Sequence, residues 1–390
     1  MNREIIGKVI PALRMLASKE KVLLARFDSR IVEDAEAWHT LPFVKKEATV
    51  LVVDETTQPD EMIADLEVKL SAWFDSRFIH PDYVLLKGIG LVALAETAAW
   101  LDILLGKPFE AARVVHGRMA NKIVVVTGGA QGFGGGIAEM LHEQGANVVI
   151  ADLNEEVGPQ MVASLKTKKQ ANGAFFIKLN VADAASVENM ITETVQHFGG
   201  LDIIVSNAGI LRAGELDEMS PETFALMTDV NYKGYFFCAK YASAVMKQQS
   251  RYRHDYFTDI IQINSKSGLK GSNRNFAYAG GKFGGIGLTQ SFAMELMPFK
   301  IKVNSICPGN FFEGPLWSDP EKGLFLQYLR AGKVPGAKNI GDVKAFYEAQ
   351  VPAGRGCRVV DVVRAIYYII EQEYETGQAV PVTGGQNMLN

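Results

Sequence analysis

Cysteine is scarce in this chain of 390 residues: Cys238, Cys307 and Cys357 are odd in number, far apart and never in a CxxC pair. That excludes a disulfide framework and a zinc ribbon and leaves buried thiols as the expected role. An excess of one charge is also lacking. The formal net charge is −4, so no basic field favours nucleic acid or an anionic membrane as partner. Long apolar runs are missing too. The most apolar window, 88–106, contains Glu96 and Asp102 and is too polar to span a bilayer. The first residues, Met1-Asn2-Arg3-Glu4-Ile5-Ile6, carry no signal-peptide pattern, and the expected location is the cytoplasm. What remains is an ordinary globular composition, 48% apolar and 22% charged, at a length that suggests two domains.

Glycine is where the chain becomes informative. Val126-Thr127-Gly128-Gly129-Ala130-Gln131-Gly132-Phe133-Gly134 follows an apolar run from Lys122 and opens a helical pattern. A strand, a glycine turn and a helix are the parts of a phosphate cradle. Gly128 permits the tight turn, Gly132 lets backbone approach a pyrophosphate, and Gly134 lets helix and strand pack closely. The helix N-terminus adds free N–H groups and a positive dipole end. Asp152 ends the next apolar run, about 20 residues on, where a carboxylate accepts hydrogen bonds from ribose hydroxyls and repels a 2′-phosphate. No Arg or Lys stands at Gln131, Leu153 or Asn154, so NAD is expected over NADP. From residue 122 short apolar runs alternate with helical patterns near 133–144, 155–168, 184–198, 221–248, 276–298 and 359–372. That implies βαβ units and a parallel sheet of seven strands, doubly wound, with ligand beyond the C-terminal strand ends.

The first 120 residues read as a smaller α/β unit. Helical spacing covers 3–19 and 59–74, strands are expected at 48–54 and 84–94, and a further helix at 96–105. The expected division is 1–120 and 121–390. The segment 80–114 is similar to the C-terminal part of class II aldolase (adducin-like) domains. Those aldolases hold a divalent metal with clustered histidines, whereas this region has only His39, His80 and His116, scattered. Metal ligands must converge on one point, so no metal is expected and the unit reads as a non-catalytic remnant with an interaction or substrate-shaping role.

Tyr278-Ala279-Gly280-Gly281-Lys282 puts a phenol and an amine on one helix face, after a strand that ends in Ser265. With the glycine turn and Ser206-Asn207-Ala208-Gly209, this set resembles the short-chain dehydrogenases/reductases from about Lys122 to the C-terminus. The resemblance implies a Rossmann sheet and places the cofactor on Thr127, Gly128, Gln131, Gly132, Phe133, Gly134, Asp152, Leu153, Asn180, Val181, Asn207, Ala208, Gly209, Tyr278, Lys282, Pro308 and Gly309. It implies catalytic roles for Asn231, Ser265, Tyr278 and Lys282. Tyr278 would take the hydroxyl proton; a free tyrosine has a pKa of ~10, so ionising it at pH 7 costs about 4 kcal/mol, which Lys282 would lower. Ser265 would position the substrate oxygen, and Asn231 would hold a water in a proton relay.

The blocks 260–268, 282–291, 351–357 and 382–386 are similar to those of the family's hexitol-phosphate dehydrogenases. That resemblance implies interconversion of a phosphorylated hexitol, sorbitol 6-phosphate first, and fructose 6-phosphate. A sugar phosphate needs cationic and polar donors. Lys266, Ser267, Asn310 and Arg355 are the expected substrate residues, with Lys270, Arg274, Arg358 and Gln386 as further candidates. The long segment 310–352 is a plausible lid. Helices 221–248 and 276–298 carry small and apolar residues; in the resembled family such helices form a four-helix dimer interface, and the resemblance implies a homodimer or homotetramer. Other readings are a dehydrogenase of a different polyol and a sugar-phosphate sensor on the same fold. A sensor has no need of the Asn231, Ser265, Tyr278 and Lys282 set.

Overall fold

The computed structural model describes residues 3–29, 48–54, 58–108, 110–271, 273–321, 323–330, 332 and 334–388. His39 lies outside the described residues. The chain begins with α1 (Arg3–Ala17), whose Ile5, Val9, Ile10 and Leu13 recur at helical spacing and are all buried. There follow β1 (Leu24–Asp28), β2 (Val50–Val53), α2 (Pro59–Ser76), β3 (Tyr83–Leu86), β4 (Gly90–Ala95) and α3 (Ala98–Leu104). The four strands form a sheet in the order β1-β4-β3-β2. β2 pairs with β3 in parallel, and both pairings of β4 are antiparallel. β1 had no signal in the sequence, because Arg26 interrupts its apolar alternation; the guanidinium is nonetheless buried, ion-paired with Asp102.

The second sheet is built from β5 (Ile123–Thr127), α4 (Gly132–Glu143), β6 (Asn147–Asp152), α5 (Val157–Lys166), β7 (Ala174–Lys178), α6 (Ala184–Phe198), β8 (Ile203–Ser206), α7 (Pro221–Thr228), α8 (Gly234–Tyr252), β9 (Thr258–Ile263), α9 (Phe276–Leu296) and β10 (Ile301–Pro308). α10 (Pro315–Ser318), α11 (Leu324–Arg330), α12 (Ile340–Ala349), α13 (Val359–Glu371) and β11 (Ala379–Val382) complete it. The strand order is β11-β10-β9-β8-β5-β6-β7 and every pairing is parallel. This is the expected doubly wound Rossmann sheet. The order reverses between β5 and β8, the place where such sheets open a crevice for ligand.

The expected helix over 221–248 is three pieces: α7, a single π turn over Asp229–Lys233, and α8. Asn231 sits on the π turn. Segment 310–352 is not a bare loop. Its α10–α12 enclose a core of their own, with Phe312, Trp317, Phe325, Val334, Val343 and Val351 buried together.

Two apolar layers cover the large sheet. One joins α4, α5 and α13 to it through Ile137, Leu141, Val162, Val362 and Ile366. The other contains α6 and α8 and runs on without a break into α1, α2 and the small sheet. A buried ion pair crosses the same boundary. The Arg14 guanidinium donates to both Asp202 carboxylate oxygens at 2.9 Å, and both side chains are fully enclosed. Asp202 also accepts from Ile123 N at 2.8 Å. The ionic charge is thereby matched and hydrogen-bonded, the condition under which a buried pair is tolerated.

Candidate active site

The glycine turn lies at the C-terminal end of β5. Gly128 and Gly132 have φ of 63° and 62°, left-handed values that favour residues without Cβ. A Cβ on Gly134 would overlap the Gly128 carbonyl oxygen, so close packing excludes any other residue there. In front of Gly132 the space is open, the nearest atom to such a Cβ being Pro315 Cδ at 4.0 Å. This turn, at the start of α4, leaves backbone uncovered for a phosphate.

Cross-strand bonds hold the turn. Thr127 Oγ1 accepts from Asn207 N and Ala208 N, both at 3.0 Å, while Asn207 Nδ2 donates to Thr127 O at 3.0 Å and Gly128 O at 3.2 Å. The Asp152 carboxylate accepts from Ala130 N at 3.1 Å and Asn154 N at 3.0 Å. It is thus fixed at the end of β6, beside the turn. Leu153 is exposed next to it. Asn180 is exposed after β7, with its Oδ1 accepting from Ala182 N at 3.1 Å, and Val181 is buried. Phe133 stacks on Phe311 with ring centroids 4.3 Å apart, which brings the 310–352 segment against the turn. Gln131 is exposed at the N-cap of α4.

At the ends of β9 and β10 the second group assembles. Lys282, on α9, is buried and its Nζ donates to Ile263 O at 2.8 Å. That Nζ lies 5.5 Å from the centre of the Tyr278 ring. Asn231 is buried opposite, its Oδ1 accepting from Ile210 N at 3.0 Å and its Nδ2 donating to Ile210 O at 2.8 Å. The π turn displaces Asn231 toward the loop after β8, a use of π turns that recurs at functional sites. A Cβ on Gly209 would come within 2.8 Å of Asn231 Oδ1. Burial pushes the Tyr278 phenol up from its ordinary pKa, and a hydrogen bond with Ser265 pulls it partly back. Burial lowers Lys282 to about 8. The sequence suggested that Lys282 would lower the tyrosine; in the protein alone, desolvation wins on both groups.

The family profile described as short chain dehydrogenase matches residues 122–317, which take in both groups. Sorbitol-6-phosphate 2-dehydrogenase of Escherichia coli K12 is 32% identical over 272 residues, 69% of this chain and 100% of that protein. This chain belongs to the short-chain dehydrogenase family. Another relative is trans-4-hydroxycyclohexanecarboxylate dehydrogenase of Sinomonas cyclohexanicum, 30% identical over 71% of this chain and 96% of that one. Among solved structures, the crystal structure of sorbitol-6-phosphate 2-dehydrogenase from Erwinia amylovora has 34% identity and a TM-score of 0.62, covering 68% of this chain and 100% of that one. The chain is therefore an oxidoreductase of the alcohol dehydrogenase type, and its family uses NAD or NADP. The open Gly132 cradle and the fixed carboxylate of Asp152 fit such a dinucleotide.

Two residues important to this dehydrogenase's geometry carry no sequence signal. Asn264 is buried behind Ser265; its Oδ1 accepts from Ser265 N at 2.8 Å and its Nδ2 donates to Lys282 O at 2.9 Å. Asn387 donates from Nδ2 to Lys266 O at 3.0 Å, bringing the C-terminal tail to the active-site loop. Neither spacing nor residue type marks an asparagine that serves by tying backbone.

The expected substrate residues do not all converge. Ser267 N donates to Ser265 Oγ at 3.1 Å. Gly309 follows Pro308 and donates its N–H to Val382 O at 2.9 Å, and Asn310 O accepts from Cys357 N at 2.8 Å. Gln386 Oε1 is buried, without a hydrogen-bond partner among the described residues, and would lie 3.1 Å from a Cβ on Gly309. A cavity of about 230 Å³ reaches Gln386, Arg355 and Cys357 but neither Ser265 nor Tyr278. Arg355 is engaged by Asp361 at 2.6 and 2.9 Å, Arg358 faces Glu313 at 3.8 Å, and Arg274 faces Glu215 and Glu218 at 3.5 and 3.3 Å. Lys270 is exposed. His80 and His116 stand apart, and among the described residues no three His, Cys, Asp or Glu side chains converge as metal ligands. No helix among them is long and apolar enough to cross a membrane.

Proposed function

We propose that this short-chain dehydrogenase is NAD-dependent and interconverts a phosphorylated hexitol, sorbitol 6-phosphate first, with the ketose phosphate fructose 6-phosphate. What supports the substrate is the alignment spanning the whole length of a sorbitol-6-phosphate 2-dehydrogenase. What supports NAD is Asp152, a carboxylate at the ribose position with no cation at Gln131, Leu153 or Asn154 to hold a 2′-phosphate.

The nicotinamide cofactor, when bound, supplies the hydride acceptor. The residues assigned to hold it are Thr127, Gly128, Gln131, Gly132, Phe133, Gly134, Asp152, Leu153, Asn180, Val181, Asn207, Ala208, Gly209, Tyr278, Lys282, Pro308 and Gly309. Tyr278 takes the proton of the substrate hydroxyl. Ser265 donates to the substrate oxygen and orients it. Lys282 stabilises the phenolate, and Asn231 belongs to the proton path. Residues 1–120 are assigned as a non-catalytic unit related to the aldolase fold.

The assembly assigned is a homodimer or homotetramer. α8 and α9 lie side by side and expose Phe236, Phe283 and Met294, the last 76% accessible, an apolar face of the kind that copies of a chain cover.

The test is NADH formation at 340 nm with sorbitol 6-phosphate, mannitol 1-phosphate and the unphosphorylated polyols, each with NAD and with NADP. Turnover on sorbitol 6-phosphate with NAD is expected. Tyr278→Phe should cost at least ~10³-fold in kcat while NADH binding persists. Turnover confined to NADP, or to a polyol without phosphate, would remove the corresponding half of the proposal.

A further inference from the structure

We propose that Lys266 is the group that reads the substrate's phosphate, and that Asn387 in the C-terminal tail holds it in place. The inference rests on the phosphorylated substrate proposed above and assigns the residue that selects it.

Position is the first argument. Lys266 directly follows Ser265, the residue assigned to the reacting oxygen, and opens the short 3₁₀ turn Lys266–Gly268 for which Ser265 is the N-cap. The ammonium therefore starts its reach from the wall of the substrate site.

Charge is the second. Every arginine among the other cations weighed for the phosphate is already committed to a carboxylate: Arg274 to Glu215 and Glu218, Arg355 to Asp361, Arg358 to Glu313. Lys270 is exposed to solvent. Lys266 differs from all of these. It is partly buried, and among the described residues no acidic side chain pairs with it. Burial lowers its pKa with no opposing contribution. A partly desolvated cation without an anion is unfavourable by itself and becomes favourable when a ligand brings the anion. A phosphate monoester supplies two negative charges and several strong acceptor oxygens.

Support is the third. Asn387 Nδ2 donates to the Lys266 carbonyl at 3.0 Å, and Asn387 itself is bound twice to Thr383 Oγ1, through its carbonyl at 3.0 Å and its N–H at 3.3 Å. The tail is thus tied to Thr383, the residue after β11, on one side and to the Lys266 turn on the other. Lysine has four rotatable side-chain bonds, so fixing its backbone is what gives it a direction. Asn387 is a positioning residue.

The test uses the full chain, with sorbitol 6-phosphate and sorbitol as paired substrates and inorganic phosphate as a separate probe of binding by thermal shift. Lys266→Met should raise KM for sorbitol 6-phosphate by about ten- to hundredfold more than for sorbitol, with the larger effect in KM and not kcat, and should abolish stabilisation by inorganic phosphate. Lys266→Arg should restore part of the discrimination. Asn387→Ala should move the same ratio in the same direction by a smaller factor. Equal losses on both substrates from Lys266→Met would overturn the inference while leaving the proposed substrate standing. A wild-type chain that does not distinguish sorbitol 6-phosphate from sorbitol would instead refute the proposed substrate. Phosphate stabilisation that depends on Lys266 would then still support an anion site at this residue, whereas stabilisation that survives Lys266→Met, or is absent from the wild type, would overturn it.

Discussion

Asn264 makes three side-chain bonds, to Gln262, to the Lys282 carbonyl and to the Ser265 N–H, and so ties together the backbones of two residues assigned to the reaction, Ser265 and Lys282. Asn264→Ala leaves buried partners unpaired at a cost of about 1–3 kcal/mol. A lower Tm is expected together with a ten- to hundredfold loss in kcat, larger than stability alone explains at a temperature where the variant is folded. Unchanged kcat with a lower Tm would reduce Asn264 to a packing residue. Tyr278, held up by burial, must lose its proton to serve in alcohol oxidation. The oxidation rate should therefore rise with pH from neutral into the alkaline range, and the reverse reduction should fall; a profile flat from pH 6 to 9 would contradict the assignment. The residues legible in the sequence were those whose chemistry demands a type at a spacing: Ser265, Tyr278, Lys282 and the glycines. Asn264 and Asn387 were not, because any polar residue in a loop has the same appearance until its backbone partners are known.

Elements separate into those written in local pattern and those imposed by contact. The strands β5 to β11 are short apolar runs with turn residues between them, and each was readable. β1 was hidden by a buried arginine, and the π turn at Asp229–Lys233 has no glycine or proline to announce it. The glycine turn invites a comparison of two substitutions. Gly134→Ala meets the Gly128 carbonyl at once, so the helix must move away from the sheet; aggregation or a large fall in Tm is expected. Gly132→Ala meets open space and carries only the strain of its positive φ, about 1–2 kcal/mol. It should fold, yet bind NADH at least tenfold more weakly, because the methyl fills the approach to the turn. Tight NADH binding by a folded Gly132→Ala chain would argue against a phosphate in that position.

On the scale of the whole molecule, the seven-stranded sheet was legible and the small one only in part, with β1 hidden, but their union was not. Arg14 and Asp202 are 188 positions apart, and no periodicity connects them. Arg14→Met leaves Asp202 buried without its counter-ion, and a loss of about 3–5 kcal/mol is expected in urea unfolding. A loss under 1 kcal/mol would show that water reaches the pair. Acid should weaken the fold as well. Burial lowers His142 to about 4 and His197 to about 3, below the unfolded value of about 6.5. The unfolded chain binds more protons than the folded one between those values, so this stability is complete above about pH 6.5 and is lost as pH falls. Asp259, pushed up to about 6 by burial, works in the opposite sense and is the smaller contribution. A net loss on the order of 2 kcal/mol is expected between pH 7 and pH 5, read from urea midpoints; equal midpoints would refute it.

The Arg14 pair also dictates an order of events during synthesis. α1 leaves the ribosome before β8 and α8, yet its guanidinium meets Asp202 just ahead of β8, and the part of its apolar face not covered by α2 and β1 packs on α6 and α8, the latter ending at Tyr252. At roughly 5–20 residues per second, translation leaves this helix waiting for about ten seconds or more with the α8 side of its core face uncovered. The N-terminal unit is born early and matures late, and slowing translation between residues 20 and 250 would lengthen the interval in which it is open to chaperones and proteases.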